Sequence, residues 1–483
     1  MKHYLALFVL FSIVTAITAH ETPASREIQF DNLEDAASEL VIAITFEDLF
    51  NKAAQYLHQR EYDKAIEYYQ KAITKNPMHH QPYYNIGLIY EEIGNIDKAI
   101  EYYKDAILKN LNYLKAHLAL AQLLQKKELR DEALIHFKKV LELDPKNHNA
   151  ALAAAHILHH QEKFKESVPY FAIAAKTNPD DIMVSFEYAN ALNTCNQTQE
   201  ALDIYFKLLE KRPNDSGILY NTAYTLKKLN RIQEAMPYYS AALKKNPNHA
   251  EAHFSLGLAY LTMGDFDQGW PEYEWRWQRN PQLEPRNFSQ QKWNPSISLQ
   301  GKTILLHAEQ GLGDTCQFIR YAQVIKEEYK PAKLIVAVQK PLFTMIGKCC
   351  PYIDNVVTLN AIPTQFDYHI PLMTLPLLLK SNEQTIPRKI PYIFPDVTLT
   401  EFWRRRLASD TNFKVGICWQ GNNKYSTPFL RAVVAAKSMP MNKFASLAHI
   451  DGVTLYSLQK ETGTDQLNVK EFNLKKEYFN KNI

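Results

Sequence analysis

One spacing governs the first half of this chain. Pro77, Pro145, Pro179, Pro213, Pro247 and Pro281 stand in one register at multiples of 34 residues, with Leu111 filling the gap. A second register runs Ala53, Gly87, Ala121, Ala155, Ala189, Ala223, Gly257. A third runs Ala65, Ala99, Ala133, Ser167, Ala201, Ala235, Gly269. A fourth is aromatic throughout: Tyr69, Tyr103, Phe137, Phe171, Tyr205, Tyr239, Tyr273. Self-similarity at a period of roughly 20–50 residues is the mark of stacked supersecondary units rather than of one globular core.

Each unit reads as two short amphipathic helices. Small residues sit where the two helices cross, because a larger side chain would push the backbones apart. The aromatic fills the seam between neighbouring units. The proline closes the unit, since it lacks an N–H and biases the residue before it away from helix. The units fall at residues 46–79, 80–113, 114–147, 148–181, 182–215, 216–249 and 250–283. One pair cannot bury its apolar face alone, so each depends on its neighbours. Period and pattern resemble the tetratricopeptide repeat (TPR), a helix–turn–helix unit. The resemblance implies an α-solenoid whose inner face, lined by the first helix of each unit, holds a partner protein or an extended peptide.

One position of that helix carries Asn51, Asn85 and Asn221, with Ala119, Ala153, Glu187 and Ser255 in the other units. An amide both donates and accepts, so stacked asparagines can grip a peptide backbone. In this the chain is similar to the O-GlcNAc transferases. The alternative reading is surface asparagine on a solvated groove.

With 55 Lys+Arg against 52 Asp+Glu, the formal charge of +3 gives no electrostatic case for nucleic acid. Cys195, Cys316, Cys349, Cys350 and Cys418 are odd in number and lack zinc or redox spacing, so they read as buried thiols of a reducing compartment. The N-terminus points the other way. Lys2 precedes an uncharged apolar run from Tyr4 to Ala19, with small residues at Ala16 and Ala19, which is a secretory pattern. Residues 1–19 therefore predict export, or a membrane anchor if uncleaved; a cytoplasmic location is the alternative. Residues 20–45 read as an acidic connector. His156 and His160 have a metal-binding spacing but no evident third ligand, so no metal is assigned.

After Pro281 the period stops. Residues 284–300, with Trp293, read as a connector. From Thr303 the pattern becomes strand, glycine turn and helix: Thr303–His307, then Glu309–Asp314, then a stripe through Phe318, Ala322 and Ile325. Strands follow at Leu334–Val338, Val356–Leu359 and Tyr368–Ile370, which predicts a parallel sheet of the doubly wound kind. Residues 301–395 form one Rossmann-like lobe. Residues 396–483 form part of a second, with a helix at Leu399–Ala408 and a buried strand at Val415–Trp419.

The segment His307-Ala308-Glu309-Gln310-Gly311-Leu312-Gly313-Asp314-Thr315, with Gln317-Phe318 and Arg320-Tyr321, carries a second resemblance. So do Pro351–Val357, Phe366–His369, Gly416–Asn422, and Lys437 with Pro440. These are similar to bacterial TPR proteins with a C-terminal glycosyltransferase-like region, related in plan to heptosyltransferases and O-GlcNAc transferases. The resemblance implies a nucleotide sugar as donor substrate and no separate cofactor. It places Asp314 as the base, Gly311 and Gly313 in the phosphate-facing turn, Lys437 near the donor phosphates, Arg431 beside it, and Gln420, Gly421 and Asn422 against the donor. The bland alternatives are a helix cap formed by Asp314 with Gln317 and a surface loop at Lys437. The second lobe is expected to lack the late strands that hold the donor nucleotide. Two functions follow: a sugar-transferring enzyme that also binds a protein, or a non-catalytic scaffold with a vestigial transferase region.

Overall fold

The computed structural model describes residues 44–279, 286–421, 434, 437–459 and 462–468. The chain divides into two compact units, one up to Ala201 and one from Leu202. The first holds α1 (Phe46–His58), α2 (Tyr62–Lys75), α3 (His80–Glu92), α4 (Ile96–Lys109), α5 (Leu114–Lys126), α6 (Arg130–Leu143), α7 (His148–His160), α8 (Phe164–Thr177) and α9 (Ile182–Thr194). α10 (Thr198–Lys211) straddles the division. The second unit continues with α11 (Ser216–Lys228), α12 (Ile232–Lys245), α13 (Ala250–Thr262), α14 (Phe266–Tyr273) and the short α15 (Arg276–Arg279). First and second helices of successive pairs each start 34 residues apart.

The turn inside every pair is the same, and it explains why the register holds. The second residue after the first helix is left-handed at Arg60, Gly94, Glu128, Glu162, Asn196, Asn230 and Gly264, with φ between 60° and 81°. The next N–H reaches back across the helix end: Glu61 to the Tyr56 carbonyl at 2.9 Å, Leu129 to Leu124 at 2.9 Å, and Lys163 to Leu158 at 2.9 Å. Such a cap satisfies the last carbonyls, and glycine is the residue that adopts it without a Cβ penalty. Five of the seven positions are not glycine. Glu128 and Glu162 are exposed, so Glu128→Gly with Glu162→Gly is expected to stabilise the first unit, by about 1 kcal/mol per site. An unchanged or lower urea midpoint in the double variant would contradict this.

The second helices end at another repeated device. Asn76, Asn110, Asp144 and Asn246 each turn a side-chain oxygen onto the N–H two residues on, at 3.1–3.3 Å. Asparagine and aspartate favour such turns, and the proline that usually follows cannot extend the helix. Between the helices, Tyr69, Tyr103, Phe137 and Phe171 in the first unit and Tyr205, Tyr239 and Tyr273 in the second are buried. Two glycines of the small-residue register are sterically required. A Cβ at Gly87 would lie 2.7 Å from the Tyr103 ring, and one at Gly257 would lie 2.8 Å from the Tyr273 backbone nitrogen.

The rest of the second unit is built from β1 (Gln291–Lys292), β2 (Thr303–His307), α16 (Leu312–Phe318), α17 (Arg320–Val324), β3 (Lys333–Val338), α18 (Phe343–Cys349), β4 (Asn355–Thr358), β5 (Tyr368–Pro371), α19 (Leu375–Leu378) and α20 (Val397–Arg406). The strands form one parallel sheet in the order β1-β5-β2-β3-β4, so the winding reverses at β2. The expected connector at 284–300 thus contains an edge strand. It is held because Trp293 is buried and its N–H donates to the His369 carbonyl at 2.9 Å. Alternation along the strands splits the sheet into two faces. Ile304, Leu306, Leu334, Val336 and Ile370 pack with Phe318, Ala322 and Ile346 of the helices. Leu305, Ile335 and Ala337 pack instead with Phe288 and Phe366.

A separate two-stranded parallel sheet, β6 (Phe413–Ile417) with β7 (Val453–Ser457), is bridged by the short helix α21 (Ala445–Ala448). Ile417, Trp419, Met441 and Leu455 form its own small core. No disulfide joins the cysteines among the described residues. Only Cys349 and Cys350 are buried, however, and Cys418 is exposed because it follows the last paired residue of β6.

Candidate functional site

The first unit presents a groove on its first helices. Leu57 of α1, Tyr84 and Leu88 of α3, and Leu118 and Ala119 of α5 are each half-buried and line a cavity of about 730 Å³. Charges border it: Arg60 and Lys115 of one sign, Glu91 and Glu92 of the other. The Tyr103 hydroxyl donates to Glu91 Oε2 at 2.6 Å, fixing that carboxylate. Burial, together with this acceptor, raises the Tyr103 pKa, so the phenol stays a donor. The same registers turn polar further along, where α7 carries His156 and His159 in place of Leu88 and Glu91.

The asparagine register is only partly open. Asn51 is exposed. The Asn85 amide donates to the Tyr69 hydroxyl at 3.0 Å. In the second unit, the Asn221 amide donates back to the Gly217 carbonyl at 2.9 Å. Two of the three amides are therefore committed within the repeats. His156 faces Glu187 at 2.8 Å, and His160 lies 3.0 Å from the Arg130 guanidinium, so each histidine has a local partner.

The residues singled out for sugar transfer fall on two different sheets. In the turn after β2, Gly311 is the cap residue of α16, and Asp314 Oδ2 accepts the Gly311 N–H at 2.9 Å. The cap expected between Asp314 and Gln317 thus lies three residues earlier: Asp314 reaches back to Gly311 rather than starting the helix. A Cβ at Gly313 would meet nothing within 4 Å. After β6, the Gln420 N–H donates to Gln459 Oε1 at 3.0 Å, its carbonyl accepts Gln459 Nε2 at 2.8 Å, and the Gly421 N–H donates to Ser438 at 3.2 Å. These polar groups are spent on the fold. Lys437 is exposed. Asn422, Arg431 and the N-terminal segment lie outside the described residues.

Two buried polar groupings join residues far apart in the chain. Arg276, 1% exposed, bonds Glu309, itself buried, and ties α15 to the loop beyond β2. On the other face of the sheet, His307 Nε2 lies 3.3 Å from His369 Nδ1 between Phe288 and Phe366. Burial, aided by His369, Arg286 and Lys292, pushes the His307 pKa down to about 3; burial also lowers that of His369. The neutral form is the folded one. Above pH 6.5 neither folded nor unfolded His307 is charged, and its contribution is complete. As pH falls below 6.5 the unfolded chain takes the proton first, and stability drops until the folded pKa near 3 is reached. By pH 5 the second unit is expected to lose about 2 kcal/mol from His307. A urea midpoint for residues 202–468 that is equal at pH 7 and pH 5 would contradict this.

Comparison with known proteins bears on the repeats. Family models of the tetratricopeptide repeat match residues 47–79, 80–108 and 118–182, and a TPR-repeat model matches 223–264. Among solved structures, YrrB, a TPR protein with an unusual peptide-binding site, is 22% identical over 39% of this chain and 96% of its own, with a TM-score of 0.35. A tetratricopeptide repeat protein from Parabacteroides merdae is 16% identical over 47% of this chain and 91% of its own, with a TM-score of 0.30. MamA is 18% identical over 36% and 94%, with a TM-score of 0.31. At such scores these likenesses carry no argument of their own. No curated protein matches the chain. The family matches and the recurring 34-residue helix pairs coincide, and residues 46–262 are a run of tetratricopeptide repeats.

Proposed function

We propose that the first-helix face of the N-terminal repeats binds an extended peptide or a protein segment by an apolar anchor. The observation carrying this reading is the cavity of about 730 Å³ between α1, α3 and α5, with half-buried leucines and charges of both signs at its border. Leucines left half-exposed on the inner helices are unspent apolar surface, and a rim that both donates and accepts suits the main chain of a peptide. Asn51 is the asparagine best placed to add a backbone contact. The test is selection of peptides from a displayed random library on the full chain, followed by Leu88→Asp. Charge in the apolar cavity is expected to weaken the selected peptides at least about tenfold. Failure to select any peptide, or equal binding by the variant, would sink the reading.

A second reading, sugar transfer from a nucleotide donor, is favoured by one observation. The sheet reverses its winding at β2, and the Gly311–Asp314 turn stands at the carboxyl end of that strand, where open parallel sheets of the Rossmann kind take ligands. In that reading Asp314 is the base and Lys437, with Arg431 and Gln420–Asn422, meets the donor. Export or anchoring through residues 1–19 is likewise a proposal, resting on the apolar run after Lys2. No helix among the described residues is long and apolar enough to cross a membrane.

A further inference from the structure

The place where such a sheet would take a ligand is occupied by the chain itself. Glu309 lies just beyond β2, and Met373 and Thr374 lie just beyond β5; these neighbouring strands flank the reversal of winding. Into this crevice the last repeat sends Arg276. Its Nη2 donates to both oxygens of Glu309, at 3.0 and 3.1 Å, and to the Thr374 hydroxyl at 2.8 Å. Its Nη1 reaches Glu274. Glu309 also accepts the Met373 N–H at 3.1 Å. The acceptors a ligand would meet there are saturated by a guanidinium that is 1% exposed.

The same repeat carries the apolar contact. Trp270 and Tyr273 of α14 share one buried cluster with Leu306, Phe318 and Leu375 of the sheet region, and the Trp270 indole donates to the Ser381 carbonyl at 2.9 Å. Repeat units need their outermost apolar face covered. We infer that the region of β1–β5 is the C-terminal cap of the last repeat, with Arg276 as the plug of its crevice, and that nucleotides and nucleotide sugars do not enter there. This goes beyond the peptide reading and stands against the second one.

Hydrogen exchange on the full chain tests both halves. In the wild type, amides of α13 (Leu256–Ala259) and of β2 and β3 (Ile304–Leu306, Leu334–Val338) are expected to exchange as one cooperative unit. Arg276→Lys keeps the charge and loses the planar fork; protection of both segments should fall together, about tenfold or more. A fall confined to the strands, or no change in either, would overturn the cap. UDP, GDP, ADP and their sugar conjugates, added in millimolar excess, are expected to leave exchange of residues 308–314 and 372–374 unaltered. Saturable protection there by any one of them would overturn the plug.

Discussion

Arg276→Met is expected to destabilise residues 202–468 by about 3–5 kcal/mol, because it strands the Glu309 carboxylate in a buried site without its countercharge. Burial already pushes that carboxyl up, and the guanidinium pulls it back. Once Arg276 is gone, the remaining Met373 N–H cannot by itself hold a charge away from water. The loss should show as a lower urea midpoint in tryptophan fluorescence, since Trp270, Trp275, Trp277 and Trp293 all lie in this unit. The pair Arg276→Met with Glu309→Gln removes both charges and is expected to recover at least half the loss, as replaced ion pairs generally do. The guanidinium also lies 5.2 Å from the Tyr273 ring and 4.7 Å from that of Trp277, contacts the methionine stem replaces only in part. A single variant with an unshifted midpoint would mean that the network holds nothing.

Phe137→Ala should cost the first unit a comparable amount, about 3–5 kcal/mol, through lost burial and the cavity left behind. Phe137 is 1% exposed and sits in a cluster with Leu120, Leu124 and Leu141 of its own pair and Ala150 and Ala154 of the next. Stability in repeats is close to nearest-neighbour, so the hole weakens both adjoining pairs. Ile135, two residues earlier and 66% exposed, is the control: its replacement by alanine is expected to stay within about 0.5 kcal/mol. Equal midpoints for the two variants would remove the aromatic register from the account of stability.

Much of the repeat half was legible from spacing because its determinants are local and recur. The prolines, the small residues and the aromatics each occupy a fixed place, and the helices begin where those places require. The left-handed register was hidden: glycine, its usual marker, stands only at Gly94 and Gly264, and backbone bonds enforce the conformation at Arg60, Glu128 and Glu162 regardless of side chain. Sheet strands were readable as apolar runs, but β1 was not. It has two polar residues and exists only because β5 offers an edge. The site was harder still. Arg276 and Glu309 are 33 residues apart, on elements of different type, and nothing local marks them as partners. The apolar cavity depends on which of the registers happens to be leucine in three adjacent helices. Asp314 stood out in sequence for the wrong step of the turn, since a cap reads alike whether the acid opens the helix or lies three residues inside it.

The repeated turn also has a consequence for inheritance. Every joint in the first unit uses the same backbone bonds at the same offset, largely whatever the side chain. A gain or loss of 34 whole codons inside residues 80–181 would therefore rejoin like with like, leaving caps and seams matched, whereas a gain or loss of one codon inside a helix would misalign the seams of the unit that carries it. Selection can lengthen or shorten such a chain in whole steps far more easily than it can edit a single link.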